Sequence, residues 1–127
     1  LNYLLIILLY NWNFPIYKVF HLTLFMFVSA YITAKDRKEA RKIALLLVKN
    51  RLAACANIFP VESFYWWDGK IQNENEYAII AKTQKKNIKK LISNVKRIHS
   101  YSVPCIVSWP IAEGSRDYLE WVKKETI

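Results

Sequence analysis

The sequence predicts an α+β fold, and two observations support this prediction. Strand-like and helix-like hydrophobic patterns alternate in the order βαββαβ from Met26 onward, and one more helical pattern follows. The dipeptide Asp68-Gly69, a strong hairpin signal, separates the two central strands. Together they predict a four-stranded antiparallel sheet with two helices on one face, the ferredoxin-like arrangement, and an extra C-terminal helix.

Composition narrows the class of protein. With 54% hydrophobic and 23% charged residues in 127, the chain is one folded domain and not a disordered segment. Its net charge of +9 is compatible with an anionic partner, although two solvated basic helix faces explain it equally well. Two glycines are too few for a glycine-rich phosphate loop. The two cysteines form neither a zinc motif nor a disulfide scaffold, which favours a reducing compartment.

The first 25 residues differ from the rest. They contain one charged residue, Lys18, and apolar patches that are each too short to span a bilayer. The only methionine is Met26. We therefore predict that residues 1–25 are a hydrophobic extension outside the fold, either a leader or an upstream translated segment, and that residues 26–127 form the domain. We expect a cytoplasmic protein, or an organellar one if the leader is genuine, and no membrane contact by residues 26–127.

The first strand and the first helix follow Met26. Residues 27–32 are an apolar run rich in β-forming side chains, which predicts a strand. Asp36, with Glu39 three residues later, is typical of a capping box, in which each side chain satisfies a free backbone N–H. Apolar residues then recur at helical spacing to about Asn50, with basic residues between them, which predicts an amphipathic helix.

The stretch 51–70 predicts one long strand. Pro60 interrupts it, and the aromatic run 64–67 resumes it before the turn. Because this aromatic end is apolar on both faces, we expect it to pack against a second layer or another subunit. Residues 71–83 predict the returning strand.

The remaining elements complete the sheet. Residues 85–98 carry a clean apolar stripe and predict a second helix, residues 103–109 predict the fourth strand, and Ser115 is a candidate cap for the last helix. Two helices cover one sheet face. The other face needs solvent, a ligand, nucleic acid or another copy of the chain as its cover, and its aromatic side chains favour self-association.

Five motifs in this order resemble the CutA divalent-cation tolerance family: RLAACANI, SFYWWDGK, Glu76 followed by Lys82-Thr83, HSYSVPCI and GSRDYLEW. The resemblance extends over residues 26–127. It implies a ferredoxin-like subunit assembled as a tight homotrimer, with a long hairpin that reaches a neighbouring subunit. It also implies an association with copper and other divalent metals, and an architecture similar to that of the trimeric PII signalling proteins.

The resemblance also indicates candidate metal ligands. Cys55 lies at the cysteine of the family's AAC motif, and His99 lies at the head of its His-Pro-Tyr-Glu-Val-Pro-Glu motif. Ser102 and Cys105 stand where that motif has glutamates, and a thiolate suits copper or zinc better than it suits harder ions. We expect copper or another divalent metal to bind weakly through Cys55, His99 and Cys105. The alternatives are small buried thiols and a histidine that caps a helix end.

A second candidate site is a small-ligand cleft between subunits. In it, Lys82 and Thr83 would bind an anion and aromatic side chains would line the walls. The alternative is that the aromatic residues form the trimer core, because obligate interfaces are enriched in Trp and Tyr. The candidate residues are Tyr65, Trp67, Lys82, Thr83, Trp109 and Glu113.

The sequence therefore predicts a trimeric, divalent metal-binding protein that is not an enzyme. The alternative function is a PII-like small-ligand sensor or a scaffold. An RNA-binding module is less favoured, and no nucleic acid partner is expected, because residues 77–82 lack the basic-glycine-aromatic pattern of such domains. An acylphosphatase-like activity would need an anion-binding loop, and residues 33–36 contain neither glycine nor arginine. No Ser-His-Asp arrangement is indicated.

Overall fold

The computed structural model describes residues 26–127, and the prediction for residues 1–25 lies outside them. The four strands form one antiparallel sheet in the order β2-β3-β1-β4. This confirms the predicted ferredoxin-like α+β fold. The elements are β1 (Phe27–Ala34), α1 (Arg37–Lys49), β2 (Cys55–Trp67), β3 (Lys70–Gln84), a 3-10 turn (Lys85–Asn87), α2 (Ile88–Ile98), β4 (Ile106–Pro110) and α3 (Arg116–Glu125).

Helices α1 and α2 pack on one face of the sheet, here called the helical face. Alternate residues of β1 and β3 point toward these helices, because successive strand side chains lie on opposite faces. The remaining alternate residues, such as Tyr31 and Lys82, point to the opposite face. The hydrophobic core between sheet and helices includes Ala30, Ile32, Ala34, Ile43, Leu47, Ile79, Ala81, Leu91 and Val95.

Helix α3 covers part of the opposite face, a cover that the sequence analysis did not foresee. Val122 of α3 is fully buried. Gln84 Nε2 donates a hydrogen bond of 2.7 Å to Thr126 Oγ1, and Cys55 Sγ lies 3.1 Å from the hydroxyl oxygen of Tyr118. On this face, the large apolar side chains that remain exposed include Val107 and Trp109 of β4.

The β2–β3 hairpin is continuous, so the predicted interruption at Pro60 is wrong. Pro60 pairs with Tyr77 inside an unbroken antiparallel register. A proline is tolerated there because β2 is an edge strand, where one side of the backbone needs no ladder partner. The predicted turn is confirmed, since Asp68 and Gly69 have φ angles of 50° and 72°, as a two-residue hairpin of this kind requires.

Two strand boundaries and one helix cap differ from the predictions. β2 begins at Cys55, not at residue 51, because Arg51 adopts a φ of 54° that no strand accommodates. β4 begins at Ile106, not at residue 103, and Pro104 cannot donate to a ladder. Ser115 precedes α3 as predicted but makes no side-chain capping hydrogen bond.

The far half of the hairpin is a two-stranded ribbon. β1 pairs with β3 only from Tyr77 to Gln84, so residues 61–76 pair only with each other. Phe64, Trp66 and Ile71 lie on one face of this ribbon, because Trp66 and Ile71 are direct partners. Their exposed fractions are 68%, 71% and 64%, and we call these three residues the hairpin patch. In residues 26–127, no helix is both long and apolar enough to cross a membrane.

Candidate functional site

The carboxylate of Glu39 joins the start of α1 to the loop that follows α2. Asp36 Oδ1 accepts the backbone N–H of Glu39 at 2.8 Å, as the capping box predicts. The Glu39 carboxylate does not return to Asp36. Instead it accepts the N–H of Lys35 at 3.1 Å and that of Ser100 at 2.7 Å. The predicted hydrogen bond from the backbone of Asp36 to the Glu39 carboxylate is therefore wrong, because this buried carboxylate binds the N–H groups of Lys35 and Ser100 instead.

Glu39 is held in its ionised form. Burial opposes its ionisation, but the hydrogen bonds from Ser100 and Lys35 lower the pKa of this carboxyl below its ordinary value. Glu39 is accordingly a buried negative charge that fixes the position of the loop.

The ring of His99 is fully buried at the start of that loop. Nε2 lies 2.8 Å from the carbonyl oxygen of Thr33, and Nδ1 accepts the N–H of Tyr101 at 3.1 Å. A carbonyl oxygen can only accept, so Nε2 carries the proton and the ring is neutral. Both nitrogens are thus engaged, and a metal could bind His99 only by displacing one of these hydrogen bonds.

Tyr101 leads from the same loop to a second carboxylate. Its hydroxyl donates a hydrogen bond of 3.0 Å to Glu76 Oε1, and Glu76 is buried on β3. Burial, and then the Glu76 carboxylate, raise the pKa of the Cys105 thiol. Burial, and then the charges of Cys105 and Glu76, also raise the pKa of Tyr31. The backbone geometry agrees with this proximity: the N–H of Thr33 donates a hydrogen bond of 3.4 Å to the carbonyl oxygen of Cys105, and Thr33 pairs with Ala78, two residues from Glu76.

The two cysteines have different surroundings. Cys105 is exposed. Cys55 is half-buried against α3, where its sulfur lies within hydrogen-bond distance of Tyr118. Burial, and then this contact with Cys55, raise the pKa of Tyr118 to about 12. Cys55 therefore has a structural partner, whereas Cys105 is an exposed residue just before β4.

The three predicted metal ligands do not form one site within a single chain. Residues 26–127 contain no group of three or more His, Cys, Asp or Glu side chains arranged to hold a metal ion. Cys55 contacts α3, His99 is occupied by the loop, and Cys105 lies near Glu76. Ligation by these residues stays a prediction, and Cys105 is the most accessible of the three.

Within one chain, Lys82 and Thr83 do not form an anion site together. They are consecutive strand residues and therefore point to opposite faces of the sheet. Thr83 is fully buried on the helical face, where its hydroxyl accepts a hydrogen bond of 3.3 Å from Asn87. Lys82 Nζ is hydrogen-bonded to Asn57 Oδ1 on the opposite face. Within one chain the two side chains therefore face different sites, and the joint anion role between subunits stays a prediction.

The other cleft residues lie at two ends of the molecule. Tyr65 pairs with Gln72 in the hairpin, whereas Trp109 lies in the cross-strand row of Lys82. Ten residues of β3 separate Gln72 from Lys82, about 33 Å of strand. Trp67 lies still nearer the hairpin tip, and Glu113 is exposed before α3. One chain thus cannot close this cleft, and only a neighbouring copy could bring its two ends together.

The hydrogen-bonded network of Glu39, Glu76 and Tyr101 was missed by the sequence analysis. One signal was available for Glu39, which precedes Ile43 and Leu47 by four and eight residues and thus lies on the apolar stripe of α1. No local pattern links Tyr101 to Glu76, because their contact joins segments that are 25 residues apart.

We expect Glu39→Ala to destabilise the fold by about 2 to 4 kcal/mol, because two partly buried N–H groups lose a charged acceptor. The midpoint of urea unfolding measures this change. The exposed Glu62→Ala variant is the matched control and should change stability by less than about 0.5 kcal/mol. Equal midpoints for the two variants would contradict the role given to Glu39.

The same carboxylate predicts a pH dependence. Since the folded-state pKa of Glu39 lies below its unfolded value, its contribution is complete above the unfolded pKa of about 4.3 and is lost as pH falls through the folded value. The stability difference between wild type and Glu39→Gln should therefore shrink on acidification below about pH 4. A difference that is constant with pH would contradict this assignment.

A family comparison agrees with this fold and these motifs. The model of the CutA1 divalent ion tolerance protein family matches residues 28–125. The chain belongs to the CutA1 divalent ion tolerance family. The resemblance inferred from the five motifs is thereby confirmed.

Individual CutA relatives support the same assignment. The divalent-cation tolerance protein CutA of Archaeoglobus fulgidus is 46% identical over 92 residues, which are 72% of this chain and 90% of that protein. The chloroplastic CutA of Arabidopsis thaliana is 40% identical over 100 residues, 78% of this chain but only 55% of the plant protein. The solved structure of the periplasmic A. fulgidus CutA aligns with a TM-score of 0.78 at 43% identity, covering 79% and 98% of the two chains.

Proposed function

We propose that this CutA family chain is a homotrimer that binds a soft or borderline divalent metal, copper or zinc, with low affinity. Family membership supports the proposal, since relatives carry the name divalent-cation tolerance protein. The single observation on this chain that supports it is the exposed residue Cys105, which is hydrogen-bonded through its backbone to Thr33, close to the buried Glu76 on β3. Zinc accepts both thiolate and carboxylate ligands.

Low affinity follows from the number of donors. Structural zinc takes four ligands, and Cys105 with Glu76 supplies two. Water or residues of neighbouring copies must therefore complete the coordination. His99 would contribute only if it gave up its bond to Thr33 or Tyr101, and Cys55 only if it gave up its contact with α3.

The trimer is supported by apolar surface at two places on one chain. The hairpin patch lies beyond the part of the sheet that the helices cover. On the sheet face beside β4, Val107 and Trp109 are exposed. Exposed apolar areas of this kind mark protein interaction sites. In such an assembly, Lys82 and Trp109 of one copy could meet Tyr65 of a neighbour. That arrangement would suit the alternative function, a PII-like sensor of a small ligand or a scaffold.

Zinc calorimetry with the full chain tests the metal proposal, because zinc does not oxidise thiols. Cys105→Ser should weaken zinc binding by at least about tenfold, since the only exposed thiolate donor is removed. Cys55→Ser is the matched control and should change the affinity by less than about twofold. Copper competition then compares the two metals. Equal affinity of wild type and Cys105→Ser would refute a site at this thiol.

The pH dependence of zinc binding has a defined sign. The raised pKa of Cys105 keeps the thiol protonated at neutral pH, so binding must release a proton. The affinity should rise with pH, by up to about tenfold per pH unit below the thiol pKa. Calorimetry in two buffers of different ionisation enthalpy counts the released proton. Binding that is independent of pH from 6 to about 8 would exclude thiolate ligation.

We infer no catalytic activity, and relatives are named as tolerance proteins, not as enzymes. The cytoplasmic location expected from the sequence stays a prediction, because relatives include a chloroplastic protein and a periplasmic one.

A further inference from the structure

Lysine and arginine are concentrated on the outer surface of α1 and α2. All of these side chains are exposed, and the only acidic residue in the two helical segments, Glu39, is buried. Within residues 26–127, none of them forms an ion pair with a carboxylate. We call this surface the basic outer face, and its cations are Arg37, Lys38, Arg41, Lys42, Lys49, Lys85, Lys86, Lys89, Lys90, Lys96 and Arg97.

The cations form stripes along the helix axes. On the 3-10 turn and α2, Lys86, Lys89 and Lys96 recur at intervals that return to one side of the helix. On α1, Leu45 and Val48 interrupt the basic stripe and are 50% and 40% exposed. Neither helix carries an aromatic side chain. The surface therefore combines positive charge with short apolar side chains.

An apolar segment joins the fold beside this face. Residues 1–25 contain a single charged side chain, Lys18. They lead into Met26, whose carbonyl oxygen accepts the N–H of Lys85 at 2.7 Å. Met26, the first described residue, thus contacts the 3-10 turn that precedes α2.

We propose that the basic outer face docks on an anionic lipid surface, with its cations at the headgroups and Leu45 and Val48 at the acyl boundary. Clusters of Lys and Arg on amphipathic helices bind anionic lipids. Stable attachment needs a second, apolar contribution, which the exposed Leu45 and Val48 of α1 can supply. Nucleic acid fits less well, because binding of single strands relies on aromatic stacking and this face has no aromatic residue.

This docking is independent of the proposed trimer and metal site. The hairpin patch and the sheet face beside β4 lie away from α1 and α2, so an assembly through them leaves the basic outer face exposed. The inference departs from the expectation that residues 26–127 make no membrane contact. It concerns contact with the lipid surface and not a membrane span.

Co-sedimentation of the full chain with vesicles tests the proposal. The chain should bind phosphatidylcholine vesicles that contain phosphatidylserine, at a salt concentration of about 0.1 M, and should be released when salt screens the charges. The test variant replaces one cation of the 3-10 turn and three of α2 by glutamine: Lys86→Gln, Lys89→Gln, Lys90→Gln and Lys96→Gln. It should bind at least about tenfold more weakly. Glutamine favours helices, so the fold is retained.

A second variant with the same change in net charge is the control. It replaces exposed cations outside α1 and α2: Lys70→Gln, Arg116→Gln, Lys123→Gln and Lys124→Gln. Its binding should change by less than about threefold. Equal losses in the two variants would show that net charge alone acts, and would overturn the docking face.

Three further outcomes would overturn the proposal. Equal binding to vesicles of phosphatidylcholine alone would assign the attachment to residues 1–25 without the basic face. Tighter binding to duplex DNA than to anionic vesicles at the same salt would make nucleic acid the partner. Binding to anionic vesicles that salt does not weaken would exclude electrostatic docking, whether or not the glutamine variant folds.

Discussion

Replacing Phe64 and Trp66 together by alanine should convert the assembled protein into single chains. Light scattering at micromolar concentration should give a mass near the 15.0 kDa of one chain, whereas the wild-type mass should be three times larger. Aromatic residues at the centre of an interface each contribute about 2 to 4 kcal/mol when truncated, and two such losses exceed what an assembly of small subunits tolerates.

Phe64 and Trp66 are exposed on a single chain, so their substitution separates lost subunit contact from lost folding. Phe64 is 68% exposed and Trp66 is 71% exposed on a single chain, so each has little packing to lose within its own subunit. A fall in thermal stability must therefore arise from lost contact between copies. For the same reason, the sheet and helices of the layered core should keep their secondary structure in the isolated double variant.

The control for this experiment is Leu45→Ala with Val48→Ala, a pair on the outer surface of α1 with comparable exposure. This pair should leave the mass unchanged, because it lies away from the hairpin patch and from the sheet face beside β4. A double variant of Phe64 and Trp66 that remains a trimer of wild-type stability would remove the hairpin patch from the interface.

His99→Ala should destabilise the fold by about 3 to 5 kcal/mol and leave zinc affinity nearly unchanged. The fully buried ring donates to Thr33 and accepts from Tyr101, so its removal leaves two backbone groups unpaired and a cavity between β1 and the loop. A ligand role would give the reverse pattern, with a large loss of affinity and a small change in stability.

Urea unfolding of the metal-free protein and zinc calorimetry measure the two quantities on one sample. Cys105→Ser is the matched comparison, since this residue is exposed and its substitution should alter affinity but change stability by less than about 0.5 kcal/mol. If His99→Ala keeps its stability and loses zinc binding, the histidine is a ligand and the hydrogen bonds seen at its ring yield to metal.

The sequence predicted the order of elements well because each has a strong local pattern. Each of these patterns extends over only a few residues, and each is present in the structure. They are the apolar stripe of α1, the spacing of apolar residues on α2 and the Asp68-Gly69 turn. Pro60 was misjudged because its effect depends on strand order. A proline that would break a central strand is accommodated at an edge, and only the topology places β2 there.

The candidate site was less predictable because it depends on contacts between distant segments. Sequence spacing placed Lys82 and Thr83 side by side, but strand alternation sends them to opposite faces, and Thr83 is buried against Asn87. The motif around His99 identified this residue as a candidate ligand but could not show that both of its ring nitrogens are hydrogen-bonded. The bond from Nε2 goes to Thr33 near the end of β1, 66 residues away in sequence.

The far half of the hairpin, residues 61–76, has only two strands. Residues 61–76 have no third strand and no helix above their apolar face, and a ribbon of this kind is at best marginally stable alone in water. In the proposed trimer, a neighbouring copy would supply the missing packing, so that the order of this segment would depend on protein concentration while that of the layered core would not. Folding and association would then be separate events for the core and a single event for the ribbon.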